Sequence, residues 1–246
     1  MALLEVTGVT VRFGGTVALD NVAVAVEPGE VTGLIGPNGA GKTTLFNVVS
    51  GLQQPSSGRV LLDGRDITTL APNRRAQLGV ARTFQRLELF ISMSVRDNIR
   101  VAGDIRNTWR GSHHIRVREE TERIIELTGL EDVADRDVSD IPTGRARVVE
   151  LARALMAGPK VLLLDEPASG QTEQETRGFG SLLRRLAERD ELAVCLVEHD
   201  VALVMGVCDT IHVLDYGRII AVGPAEQVRN DPQVVAAYLG APGEVA

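Results

Sequence analysis

The stretch Gly36-Pro37-Asn38-Gly39-Ala40-Gly41-Lys42-Thr43-Thr44 constrains this chain more than any other. It fits G-x-x-x-x-G-K-[ST], follows an apolar run ending at Ile35 and opens a helical pattern near Lys42. Glycines let the backbone turn with its N–H groups inward, and they admit a phosphate where a Cβ would collide. The N-terminus of the following helix adds positive potential. Lys42 supplies a point charge for the β- and γ-phosphates, and the Thr43 hydroxyl is a ligand for Mg²⁺. A chance glycine-rich turn would lack the strand before it and the helix after it.

A second run, Val161-Leu162-Leu163-Leu164, ends in Asp165-Glu166. Ligand sites of parallel sheets lie beyond the carboxyl ends of their strands. Asp165 is therefore expected to hold Mg²⁺, directly or through water. Glu166, one residue further, is placed to orient an attacking water and accept its proton.

Around these motifs the pattern reads as an α/β chain with a mixed sheet. Strands are expected at Leu3–Phe13, Val22–Val26, Glu30–Ile35 and Gly58–Leu62, then at Val161–Leu164, Ala193–Val197, Thr210–Leu214 and Arg218–Val222. Helix Gln174–Arg189 between two fully apolar runs makes a βαβ unit. The middle of the chain is helical, at Val95–Val101, Arg116–Thr128 and Arg145–Met156, and a short helix closes it at Asp231–Leu239. The expected division is a core of residues 1–86 and 159–246, including an antiparallel β subdomain and the C-terminal helix, with a helical subdomain at 87–158.

The 246 residues carry a formal charge of −7 and only 3% aromatics. That balance excludes a broad basic surface or a base-stacking platform, so no nucleic-acid partner is expected. No run approaches the ~20 apolar residues of a membrane span. The start, Met1-Ala-Leu-Leu-Glu-Val, lacks the basic and long apolar regions of a signal peptide. Cys195 and Cys208 lie in apolar stretches and are expected to be buried thiols. His113-His114 has no supporting context and reads as a solvated loop.

These motifs, with others in the same order, resemble the ATP-binding subunits of ABC transporters over essentially the whole chain. The resemblance implies a P-loop NTPase core and ATP with Mg²⁺ as ligands. It implies that Phe13 stacks on adenine, that Gln85 in Arg82-Thr83-Phe84-Gln85 touches Mg²⁺ and the attacking water, and that His199 contacts the γ-phosphate. Ile141-Pro142-Thr143-Gly144-Arg145 aligns with the family signature L-S-G-G-Q, which meets the nucleotide of an opposing subunit. Here it departs from the pattern. Pro142 has neither the serine hydroxyl nor a backbone N–H, Thr143 replaces a glycine, and Arg145 replaces the glutamine. Gly144, Arg145 and the helix N-terminus remain as phosphate binders. Thr172 stands where the family usually has aspartate.

Two further stretches are similar to the ATPases of branched-chain amino-acid importers: Arg82-Thr83-Phe84-Gln85 with Leu89-Phe90, and Asn230-Asp231-Pro232 with the tail to Gly240. The core and tail also resemble the ATPase of lipopolysaccharide export. The implied partners are a second ATPase subunit, identical or different, permease subunits docking near Leu87, Leu89, Phe90 and Met93, and indirectly a substrate-binding protein. The implied location is the cytoplasmic face of the membrane, held peripherally. The altered signature also keeps open a nucleotide-binding subunit that hydrolyses little.

Overall fold

The computed structural model describes residues 2–109 and 114–239. Strands β1 (Leu4–Phe13) and β2 (Thr16–Val26) form a hairpin, and β3 (Val31–Ile35) leads through the glycine-rich loop into α1 (Lys42–Ser50). Next come β4 (Ser57–Leu62), β5 (Arg65–Asp66), α2 (Pro72–Leu78) and β6 (Val80–Arg82). Helices α3 (Val95–Trp109), α4 (Val117–Thr128) and α5 (Thr143–Met156) follow. The chain then alternates through β7 (Val161–Asp165), α6 (Glu173–Asp190), β8 (Ala193–Val197) and α7 (Val201–Val207). It closes with β9 (Thr210–Asp215), β10 (Arg218–Gly223), α8 (Ala225–Arg229) and α9 (Pro232–Leu239).

Six strands form one sheet in the order β10-β9-β3-β8-β7-β6. Its inner pairings are parallel and the β9/β10 edge is antiparallel. A second, antiparallel sheet runs β2-β1-β4-β5. β3, β7 and β8 are buried at every residue, which is why each reads as an unbroken apolar run. One core lies between the two sheets and α1; a second packs α6 and α7 on the other face of the parallel sheet. A third joins α3, α4 and α5 around Ile99, Ile124 and Val149.

Several elements depart from the sequence expectation. β2 starts at Thr16 rather than Val22, and α3 runs on to Trp109. β6 and α2 were not anticipated, since three and seven residues are too short for a periodic signal. α2 is fixed instead by Arg75, a fully buried cation. Its guanidinium donates to the carbonyls of Thr68 (2.6 Å), Leu70 (3.0 Å), Val48 (2.6 Å) and Val49 (2.8 Å). The last two are carbonyls at the C-terminus of α1, which no residue within that helix can satisfy. Cys195 and Cys208 are both buried free thiols, pushed up to about 12 by desolvation. His114 is exposed, whereas His113 lies outside the described residues.

Candidate active site

The parallel sheet delivers its loops to one edge. Gly36 leaves β3 at φ 150, and a Cβ there would sit 1.9 Å from the Leu214 carbonyl oxygen. At Gly41 (φ 112) a Cβ would sit 2.8 Å from the Ala18 carbonyl oxygen. The loop between them is thus pinned by β9 on one side and β2 on the other. Ala40 accepts from the Gly217 N–H at 2.9 Å, which fixes the β9–β10 hairpin to the same loop. Lys42 opens α1, and its ammonium donates to the Gly36 and Pro37 carbonyls at 2.5 and 2.9 Å. Burial lowers its pKa, while the nearby carboxylates of Glu166 and Asp165 raise it. Asn38 and Gly39 are exposed at the loop tip; Thr43 and Thr44 follow in the first turn of α1.

β7 carries the two acids. Asp165 is buried, and its Oδ2 accepts from Arg82 at 2.9 Å with both side chains 6% exposed. Glu166 adopts a left-handed backbone, φ 49, unusual for a residue with a Cβ. Its N–H donates to the Val197 carbonyl at 2.9 Å, so the ends of β7 and β8 are tied together. Its carboxylate accepts from Gln85 Nε2 at 2.9 Å, across 81 residues of sequence. His199 Nδ1 lies 3.9 Å from the same Glu166 oxygen. Lys42, Asp165, Glu166, Gln85 and His199 therefore converge.

Two buried clamps that sequence reasoning missed hold this cluster. Glu198 accepts from the N–H groups of Ala168 (2.8 Å), His199 (3.1 Å) and Asp200 (3.4 Å), joining the loop after β7 to the His199 loop. On α5, Arg147 donates to the carbonyls of Phe84 (3.3 Å) and Gln85 (2.7 Å), and Glu150 accepts the Glu88 N–H at 2.9 Å. On α5 the available signal was an i, i+3 Arg147/Glu150 pair among the buried positions of the helix. The last helix contributes Tyr238, whose phenol faces the Gly36 backbone and is raised in pKa by burial.

Phe13 stands at the end of β1, 51% exposed, on the hairpin whose Ala18 and Leu19 touch Gly41. Gly144 and Arg145 lie apart, in the first turn of α5. Arg145 is ion-paired with Asp132. Gly144 is crowded by Glu175, whose Oε1 would meet a Cβ there at 2.5 Å. Of the expected docking residues, Leu87 and Phe90 are exposed, whereas Leu89 packs on the core of the three middle helices.

The oxygen donors fit a hard divalent cation. Thr43 offers a hydroxyl, Asp165 a carboxylate, and Gln85 a carbonyl oxygen, since its Nε2 is engaged by Glu166. Among the described residues no three His, Cys, Asp or Glu could hold a metal by themselves. Magnesium commonly takes one or two carboxylates and completes its shell with phosphate oxygens and water.

A glycine loop between strand and helix, an acidic pair at the end of β7, one strand removed in the same parallel sheet, and an added helical unit define a nucleotide-binding cassette. The ABC transporter family model matches residues 19–169, and a branched-chain amino acid ATP-binding cassette transporter model matches 218–244. The branched-chain amino acid transport ATP-binding protein LivG of Escherichia coli is 39% identical over 249 residues, covering 97% of this chain and 98% of that protein. LptB of Haemophilus influenzae, a lipopolysaccharide export ATP-binding protein, is 34% identical over 240 residues, with 98% of each covered. The ADP conformation of MJ1267, an ATP-binding cassette of an ABC transporter, superposes with a TM-score of 0.87 at 31% identity, covering 98% of this chain and 99% of that one. The chain belongs to the ATP-binding subunits of ABC transporters, and it is an ATPase coupled to transport.

Proposed function

We propose that the chain hydrolyses Mg-ATP at an interface with a second ATPase subunit and drives the import of branched-chain or related amino acids. The observation that carries this is the convergence of Lys42, Asp165, Glu166 and Gln85 at one sheet edge. The substrate class follows LivG and the 218–244 match. Phe13 stacks on the adenine, and residues 36–44 cradle the phosphates. Thr43, Asp165 and Gln85 hold Mg²⁺, which when bound neutralises charge on the phosphate oxygens. Glu166 takes the proton of the attacking water, and His199 steadies the γ-phosphate. The opposing subunit's signature loop closes the site, and Gly144 with the α5 N-terminus offers the reciprocal contact.

The chain sits peripherally on the cytoplasmic face, docked to permease subunits. Among the described residues no helix is long and apolar enough to cross a membrane. A groove of about 340 Å³ lies between α1, α2 and β6 on one side and α3 and α5 on the other, lined by Leu52, Ala76, Phe84 and Ala154. It is mostly apolar, with Arg82, Glu88, Glu150 and Arg153 also in its walls, and it lies next to the exposed Leu87 and Phe90. A helix from a permease fits such a concave apolar surface. Phosphate release by the purified chain, alone and with its permeases, tests this. ATP-dependent turnover that rises on assembly is expected; no turnover in the assembled complex would favour the low-activity reading instead.

A further inference from the structure

Arg82 ends β6, and its side chain is almost fully buried. Its Nη2 donates to Asp165 Oδ2 at 2.9 Å, and its Nη1 donates to Asn47 Oδ1 at 2.7 Å and Ser50 Oγ at 3.2 Å. The guanidinium lies 4.9 Å from the Phe84 ring centre and 5.5 Å from that of Phe46. Asn47 and Ser50 are three apart on α1 and so share a face. Thr83, the next residue, takes the Asp165 N–H on its hydroxyl at 3.4 Å and donates its own N–H to Leu163 at 2.9 Å.

One cation therefore ties together α1, which carries Thr43, the end of β7, which carries Asp165, and the segment that leads to Gln85. Those are the three oxygen donors of the expected Mg²⁺ site. We propose that Arg82 is a positioning residue: it fixes Asp165 and α1 relative to each other and thereby sets the affinity for the divalent cation of the nucleotide. The inference rests on the reading that Asp165 serves Mg²⁺. A planar fork is needed, because a single ammonium cannot meet Asp165, Asn47 and Ser50 together while stacking on Phe84. Deleting the cation would leave a buried carboxylate uncompensated and free to turn from the site.

The test titrates Mg²⁺ into the intact chain with a fixed fluorescent ATP analogue after chelation. Outer-shell partners of metal-binding carboxylates are worth roughly 10–100-fold in metal affinity, so R82Q should raise the half-saturating Mg²⁺ about tenfold. Nucleotide affinity in EDTA should stay within about twofold of wild type, and R82K should recover part of the shift. N47A, which removes the shorter of the two ties to α1 but keeps Ser50 and the Asp165 pair, should shift the midpoint less and in the same direction. A wild-type midpoint in R82Q, or equal losses with and without Mg²⁺, overturns the proposal. If R82Q fails to fold, N47A decides, and a wild-type midpoint there overturns it. A wild-type chain whose nucleotide binding ignores Mg²⁺ would instead sink the Mg-ATP reading itself.

Discussion

Two loops in this molecule open helices at the expected phosphate sites, and they are built differently. The loop before α1 is made of glycines whose missing Cβ atoms let β2 and β9 close on it, and it ends in a lysine. The loop before α5 has Pro142 at its N-cap with no side-chain cap hydrogen bond, and its one cation, Arg145, is held by Asp132. Both helices leave N–H groups unsatisfied. Only the first combines them with a charge aimed inward and with acids at the end of β7 in the same parallel sheet. A helix N-terminus is thus a weak anion site by itself; the strength of the first comes from the sheet beneath it, which fixes Lys42, Asp165 and Glu166 together.

The loop before α1 carries the largest expected effects. Glu166→Gln removes the proton acceptor, and Lys42→Ala the inward charge; each should lower ATP turnover by about 10²–10³. Phosphate release with and without permeases measures it. Losses of a few fold would mean that the two loops differ less than their construction indicates.

Next in size is repair of the weak member. Pro142→Ser restores a hydroxyl at the α5 N-cap, and with it a side-chain cap of the kind that stabilises helix starts. Turnover of the assembled transporter should rise several-fold, up to about tenfold. If the second ATPase is a different chain and this signature completes its site as proposed, the gain should disappear when that chain's glutamate equivalent to Glu166 is removed. Unchanged turnover would place the limit elsewhere, for instance in the Arg145–Asp132 pair.

The same contrast explains what could be read in advance. The loop at 36–44, Asp165-Glu166 and the apolar strands were legible because each is a local pattern with one physical meaning. The short elements β6 and α2 were not, since their stability comes from buried arginines. Arg75 and Arg82 look like ordinary surface cations until their carbonyl, carboxylate and ring partners, 2–83 residues away, are assembled around them. Thr172 is instructive in another way. It departs from the family pattern, and it is the N-cap of α6. Its Oγ1 accepts the Glu175 N–H at 3.3 Å, and the Glu175 carboxylate accepts the Thr172 N–H at 2.8 Å.

That capping box also places Glu175 beside Gly144, so it bears on the weak loop. Thr172→Ala should cost about 1 kcal/mol of stability. In a chain of this size that is a fall of roughly 2–4 °C in the melting temperature. Thr172→Asp, which keeps an acceptor, should melt near wild type. A melting temperature unchanged in the alanine variant would show that Glu175 is held beside Gly144 by packing alone.

The smallest effect separates the two loops by pH. His212, on β9 beneath the phosphate loop, is buried; burial lowers its pKa below 6.5, while a hydrogen bond to the Ala25 carbonyl opposes the shift. Its Nδ1 has no partner among the described residues. The unfolded chain therefore takes up this proton before the folded one does. Stability from His212 is complete above about pH 6.5 and declines as pH falls toward the lowered folded value. Glu150, on α5, behaves oppositely: burial raises its pKa above 4.5, so protonation favours the folded state as pH falls through that raised value. Melting curves from pH 7.5 to about 5 should show a modest loss that His212→Gln flattens and Glu150→Gln does not. Native-state hydrogen exchange should place the weakening in β3 and β9 rather than in α5. If α5 loosens first, the sheet beneath Lys42 is not the distinguishing support claimed for it.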